Sequence, residues 1–81
     1  MNDPVLEKVR QTVSDVFGMP LSEVTAESSP ETVEAWESLS HLNLVLALEQ
    51  AFAVEFAPEE ISEMGSVRQT ADILIRKGAS A

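Results

Sequence analysis

Trp36-Glu37-Ser38-Leu39-Ser40-His41-Leu42-Asn43-Leu44-Val45-Leu46-Ala47-Leu48-Glu49, running on through Gln50-Ala51-Phe52-Ala53, is the most apolar stretch of the chain, and its reading decides the fold. It contains neither glycine nor proline and is rich in leucine and alanine, so it reads as one helix from Ser38 to about Ala53. Two apolar faces run along that helix. Leu44, Leu48 and Phe52 share one, with Ala51 beside them; Leu39, Leu42 and Leu46 share another, and Val45 lies between. A domain this small cannot bury both completely. Either the second face is exposed for partners, or it lines a crevice that opens for a ligand. Core packing on both sides is the plainer alternative.

Outward from that helix, the punctuation is helical on both sides. Asp3 suits an N-cap and Pro4 the first helical position, followed by Val5, Leu6, Val9, Val13, Val16 and Phe17 at helical spacing. Gly18 then marks a stop, giving a first helix over Pro4 to Phe17. From about residue 18 to 37 the pattern dissolves into a long loop containing Pro20, Ser28, Ser29 and Pro30, with one short turn expected over Leu21 to Val24. A loop of this length in a compact domain signals function, although a rival parse begins a helix at Pro30 with Ser29 as its cap. Beyond Ala53, Pro58 opens a short helix to about Met64, with Glu59 and Glu60 in its first turn. Ser66 and Gln69 then form a Ser-x-x-Gln capping box for a last helix whose stripe is Val67, Ala71, Leu74 and Ile75. Arg76 and Lys77 complement its carbonyl end, Gly78 stops it, and residues 78–81 are expected to fray. The fold expected is all-α, a small bundle of three main helices and one short one, forming a single domain over residues 1–81.

Composition narrows the function. Five basic against fourteen acidic residues give a net charge of −9. That opposes nucleic-acid binding, which needs Lys and Arg to displace phosphate counterions, and opposes docking on anionic membranes. It suits a soluble chain that stays monomeric and meets partners with basic patches, or it serves solubility alone. No run approaches the roughly 18 apolar residues of a membrane span, and Met1-Asn2-Asp3-Pro4 does not open a signal peptide, so a cytoplasmic location is expected. The absence of cysteine removes disulfides, thiolate metal sites and any cysteine nucleophile.

Three features remain as candidates for chemistry. Ser38 stands where the loop meets the most apolar helix, and a helix N-terminus is a natural seat for a phosphate ester. The plainer reading makes Ser38 an N-cap and nothing more. His41 follows by one helical turn, but a Ser–His hydrolase would need an orienting third group, an oxyanion hole and a walled pocket. No Gly-x-Ser-x-Gly elbow is present, so no catalytic residue is assigned, and His41 is expected on the exposed face of the helix. The loop acids Glu23, Glu27, Glu31, Glu34 and Glu37 are not in the order of a calcium loop, and no metal site is assigned.

The stretch from Trp36 to Glu49 resembles the modification motif of acyl carrier proteins, in which an acid-Ser-Leu triplet opens an apolar second helix ending near Leu-Glu. The likeness continues through Phe52, Glu55-Phe56, Pro58-Glu59-Glu60 and Ser66-Val67 and covers nearly the whole chain. It implies that a phosphopantetheinyl transferase attaches 4′-phosphopantetheine from coenzyme A to Ser38, and that the terminal thiol carries acyl cargo as a thioester. The reactive sulfur would then arrive with the cofactor. It further implies that Glu37, Leu39, His41, Leu42, Leu46 and Glu49 meet partner enzymes, while Leu44, Leu48 and Phe52 belong to the core.

Three departures from the family pattern bear on the pathway. Glu37 replaces the usual Asp before the serine, which bears on which transferase accepts the chain. Ser40 and Asn43 stand where fatty-acid carriers often have acids, leaving Glu49 as the main acid of that helix. Trp36 and His41 look more like discrete carriers of specialised pathways. The resemblance thus implies a stand-alone carrier, itself not an enzyme, serving a specialised fatty-acid, polyketide-like or secondary-metabolite pathway. Its partners would be the transferase, an acyl- or aminoacyl-loading ligase and downstream transferases or synthases. An aminoacyl or peptidyl carrier and an unmodified helical interaction module are the alternatives.

Overall fold

Valine at every fourth position gives helix α1 (Pro4–Phe17) one continuous apolar edge, and Val5, Val9 and Val13 are buried along it. Leu6, Val16 and Phe17 pack part-buried at its margins. Thr12 also turns inward, and its hydroxyl donates to the Lys8 carbonyl at 2.8 Å, which removes the penalty of burying it. Gly18 ends the helix at φ 64°, a conformation that favours glycine. The computed structural model describes residues 4–79, so the expected Asp3 cap lies outside the described residues, as do Ser80 and Ala81.

Three further helices follow: α2 (Ser38–Phe52), α3 (Pro58–Glu63) and α4 (Val67–Arg76). The architecture is all-α, and no strand occurs among the described residues. Helix α1 packs against both α2 and α4, and α3 joins the bundle through α4. Leu44, Val45, Leu48 and Phe52 of α2 and Val67, Ala71, Ile73 and Leu74 of α4 join one core with the α1 valines. The α4 stripe departs from expectation at one residue. Ile75 is exposed and Ile73 is buried in its place, because the buried arc of α4 widens toward the flank where Ile73 lies and away from Ile75.

The helix ends carry several local devices. Ala53 closes α2 in the left-handed conformation, φ 55° and ψ 48°, and its N–H and that of Val54 both donate to the Glu49 carbonyl. An L-residue pays about 1 kcal/mol for that conformation, whereas glycine does not. Ala53→Gly is therefore expected to raise unfolding stability by about 0.5–1 kcal/mol in urea melts, and a loss instead would show that unfolded-state entropy outweighs the strain. On α3, Glu60 accepts from Lys77 Nζ at 2.8 Å and from the Ala57 N–H at 2.7 Å. The lysine first, and the amide after it, hold the Glu60 carboxyl below the ordinary glutamate range. Arg76 reaches Glu63 at 3.1 Å, so both basic residues at the end of α4 lean onto α3. Ser66 Oγ caps α4 by accepting from the Gln69 N–H at 3.1 Å. Gly78 (φ 80°) and Ala79, expected to fray, are tied back through N–H bonds to the Ile75 and Leu74 carbonyls.

The long connection from 18 to 37 is far from structureless. It contains a 3₁₀ turn over Leu21–Glu23, and it buries Val24, Val33 and Trp36. Arg10 of α1 anchors its start, donating from Nε to the Val24 carbonyl at 2.7 Å and from a terminal nitrogen to the Leu21 carbonyl at 3.1 Å. Ser28 is buried, and its hydroxyl accepts from the Thr25 N–H at 2.9 Å. The carbonyls of Ala26 and Ser28 accept from the Arg68 and Val67 N–H groups, both at 2.9 Å. The loop thus satisfies donors that the first turn of α4 leaves without intrahelical partners. Pro30 enters turns rather than a helix, and the next helix starts at Ser38.

Candidate functional site

Ser38 is the first helical residue of α2, and Glu37 is its N-cap in extended conformation, φ −109° and ψ 179°. The plain N-cap reading of Ser38 is thereby corrected. The serine lies one position inside the helix, exposed, and its hydroxyl has no hydrogen-bond partner among the described residues. Glu37 makes no side-chain capping bond either. The first intrahelical bond runs from the His41 N–H to the Glu37 carbonyl at 2.8 Å. The amides before it lack a side-chain acceptor and give this end the partial positive charge of an uncapped helix start. A nucleophilic oxygen and an anion-favouring backbone coincide at one exposed point.

His41 departs from its expected place on the exposed face. It is part-buried, and Trp36 Nε1–H donates to its Nδ1 at 2.9 Å. The two rings stack with centroids 6.2 Å apart and an interplanar angle of 22°. Since Nδ1 accepts, the neutral ring carries its proton on Nε2, and that atom donates to the Ile61 carbonyl at 3.1 Å. Both ring nitrogens are engaged, so neither serves Ser38 as a base, and a Ser–His hydrolytic pair is not formed. The reason for the inward turn is Trp36 itself. Its ring is buried against Phe17, centroids 5.4 Å apart, and its indole N–H needs an acceptor there.

The remaining positions named from the sequence fall into two groups. Leu39, Leu42 and Leu46 are 68%, 53% and 58% exposed and make an apolar ridge running along α2 from the Ser38 end. Glu49 is not a free surface acid: it is part-buried, and one carboxylate oxygen accepts from the Phe56 N–H at 3.0 Å. Its work is to pin the turn between α2 and α3. A shallow groove of about 690 Å³ passes Ser38, floored by Trp36, His41, Ile61 and Met64 and edged by Leu42.

The loop leading to Ser38 carries acidic side chains and no basic ones. The loop acids Glu23, Glu27, Glu31, Glu34 and Glu37 are exposed and form no ion pair among the described residues. Three of the five basic residues are occupied, Arg10 with Glu7, Arg76 with Glu63 and Lys77 with Glu60. The Lys8 ammonium lies over the Phe52 ring, 4.9 Å from its centroid. No cluster of three or more potential metal-ligating side chains occurs among the described residues. Among the described residues no helix is long and apolar enough to cross a membrane.

Sequence reasoning missed two supporting residues. Ile61 contributes only its carbonyl, which no side-chain pattern discloses. Trp36 had a signal: with Glu37 as N-cap, Trp36 and His41 occupy the two positions that a hydrophobic staple joins.

Comparison with known proteins agrees with this geometry. A family model described as the phosphopantetheine attachment site matches residues 7–74. An acyl carrier protein of Rubrobacter xylanophilus is 34% identical over 74 residues, covering 90% of each chain. One of Thermosynechococcus vestitus is 34% identical over 77 residues, and one of Guillardia theta 28% over 76, each covering 94% of both chains.

Proposed function

The chain belongs to the acyl carrier protein family, whose prosthetic group is covalent 4′-phosphopantetheine, and from that premise we propose that Ser38 is the attachment residue. The observation that carries the proposal is the state of Ser38: exposed, uncommitted in hydrogen bonding, and set at an uncapped helix start. These residues fit the group. The serine oxygen would form the ester, and the first-turn amides of α2 would favour the phosphate charge. When bound, the group supplies a long arm and the thiol that a cysteine-free chain lacks, for holding acyl cargo.

The chain's own residues then divide the remaining tasks. Glu37, freed from capping, keeps its carboxylate for a basic transferase surface, in company with Glu34. Leu39, Leu42 and Leu46 offer successive apolar contacts to whichever enzyme approaches the Ser38 end. The protein acts as a carrier handed between a transferase, a loading ligase and downstream acyl-processing enzymes, and is not itself a catalyst. The scarcity of free acids on α2, where Ser40 and Asn43 are neutral and Glu49 is engaged, supports a specialised acyl pathway over the housekeeping one. It works in the cytoplasm, as a monomer.

Intact mass after incubation with coenzyme A and a broad-specificity phosphopantetheinyl transferase tests the assignment. One added phosphopantetheine is expected. No addition by a transferase active on a control carrier would overturn it. The apolar ridge has its own test. Leu46→Glu is expected to leave the unfolding free energy within about 0.5 kcal/mol of wild type, because the residue is exposed, while acyl transfer to partner enzymes falls about tenfold. Equal loss of stability and transfer would place Leu46 in the core.

A further inference from the structure

Whatever holds the chain's approach to α2 also holds Ser38, and the usual device for this is absent. Glu37 makes no side-chain capping bond, and Ser38 makes none among the described residues. In their place stands the side chain of the residue before the cap. Trp36 is 3% exposed and locked against Phe17, and it donates to His41 at 2.9 Å while stacking on the same ring. These two positions are those of a hydrophobic staple, which fixes the angle at which a chain joins its helix. Here the staple is polar and directional.

We propose that His41 is a positioning residue for the attachment reaction: through its Nδ1 bond to Trp36 it fixes the Trp36–Glu37–Ser38 segment, so that Glu37 and Ser38 both stay uncommitted and in one presentation to the transferase. The proposal rests on Ser38 being the attachment residue. Two bonds leave the imidazole, and the commitment is to the first. The Nε2 bond to the Ile61 carbonyl holds α3, which lies across the groove from Ser38, whereas the Nδ1 bond acts within the segment that carries the serine. A carrier whose serine wanders loses rate in the bound complex, because the ester-forming oxygen must meet the coenzyme A phosphate in line. The ester forms between the Ser38 oxygen and that phosphate, adenosine 3′,5′-bisphosphate leaves, and the serine proton passes to solvent or a transferase base.

Two amide substitutions separate the bonds. In His41→Asn the short side chain brings its oxygen to the place of Nδ1 and keeps the acceptor for Trp36. In His41→Gln the amide nitrogen reaches the place of Nε2 and keeps the donor to Ile61. Steady-state attachment kinetics with coenzyme A and a broad-specificity transferase would be measured for both, beside unfolding midpoints and the Trp36 indole N–H resonance. At a temperature where every variant is folded, His41→Gln is expected to lose about tenfold in kcat with KM little changed. His41→Asn should retain kcat within about twofold and keep the indole resonance of wild type. Wild-type kcat in His41→Gln with the indole resonance shifted would overturn the proposal, as would losses in both variants that simply follow their unfolding midpoints. Failure of the attachment reading is distinct: wild type itself would then gain no mass.

Discussion

Ser38→Ala is expected to take up no phosphopantetheine under conditions that fully convert the wild type, and to fold as the wild type does. The chemical half follows from the oxygen. The transferred phosphate needs a hydroxyl at that point, and the neighbouring Ser40, half-buried and two residues further along the helix, faces another direction. The structural half follows from the position of the serine. Had Ser38 been the N-cap, its loss would cost about 0.5–2 kcal/mol. It is instead the first residue inside the helix, without a hydrogen bond among the described residues, and alanine is at home there. The unfolding free energy should therefore stay within about 0.5 kcal/mol of wild type. Intact mass and a urea melt, run on the same sample, check the two halves together. A mutant that still gained one phosphopantetheine would move the attachment point elsewhere; one that lost helicity would make the serine structural.

Leu48→Ala carries the largest expected cost to the fold. Leu48 is fully buried, on the face of α2 that meets the α1 valines, between the buried Leu44 and Phe52. Removing a buried leucine side chain forfeits its transfer free energy and leaves a cavity that a small, close-packed domain refills poorly, about 2–5 kcal/mol together. A domain of this size has about 4–12 kcal/mol in all. A loss near 3 kcal/mol would lower the thermal midpoint by on the order of 15 °C, and a denaturant melt would resolve it easily. Leu46→Ala, two residues away on the exposed ridge, should move the same midpoint hardly at all. A cost below about 1 kcal/mol at Leu48 would mean that the interior can close around the gap.

Much of this molecule could be read from its residues, and the misses share one cause. The bounds of α1 and the start of α2 were legible because Pro4, Gly18 and the leucine-rich run are local signals, each acting within a turn or two. The burial of Leu44, Leu48 and Phe52, and the exposure of Leu39, Leu42 and Leu46, followed from one helical period. His41 was misplaced because its partners, Trp36 and the Ile61 carbonyl, lie off the helix on ring or backbone atoms that no periodicity describes, and the bond from the Phe56 amide to Glu49 was illegible for the same reason. Ile75 was misplaced for a related reason, since which flank of α4 is covered depends on its neighbours. Apart from the turn expected at Leu21 to Val24, which the 3₁₀ turn over Leu21–Glu23 matches, the order of the loop was illegible because it comes from Arg10 and α4 and not from its own composition.

The two carbonyls that the loop lends to α4 couple the loop to the first turn of the last helix. Undocking residues 26–28 would strip the Val67 and Arg68 amides of their acceptors and expose them to water, so loop opening is felt at the first turn of α4. Exchange of those two amide protons with heavy water is thus a clock for loop opening, read on a helix on the other side of the sequence. Should a partner enzyme pry the loop away from Ser38, its footprint would register there first.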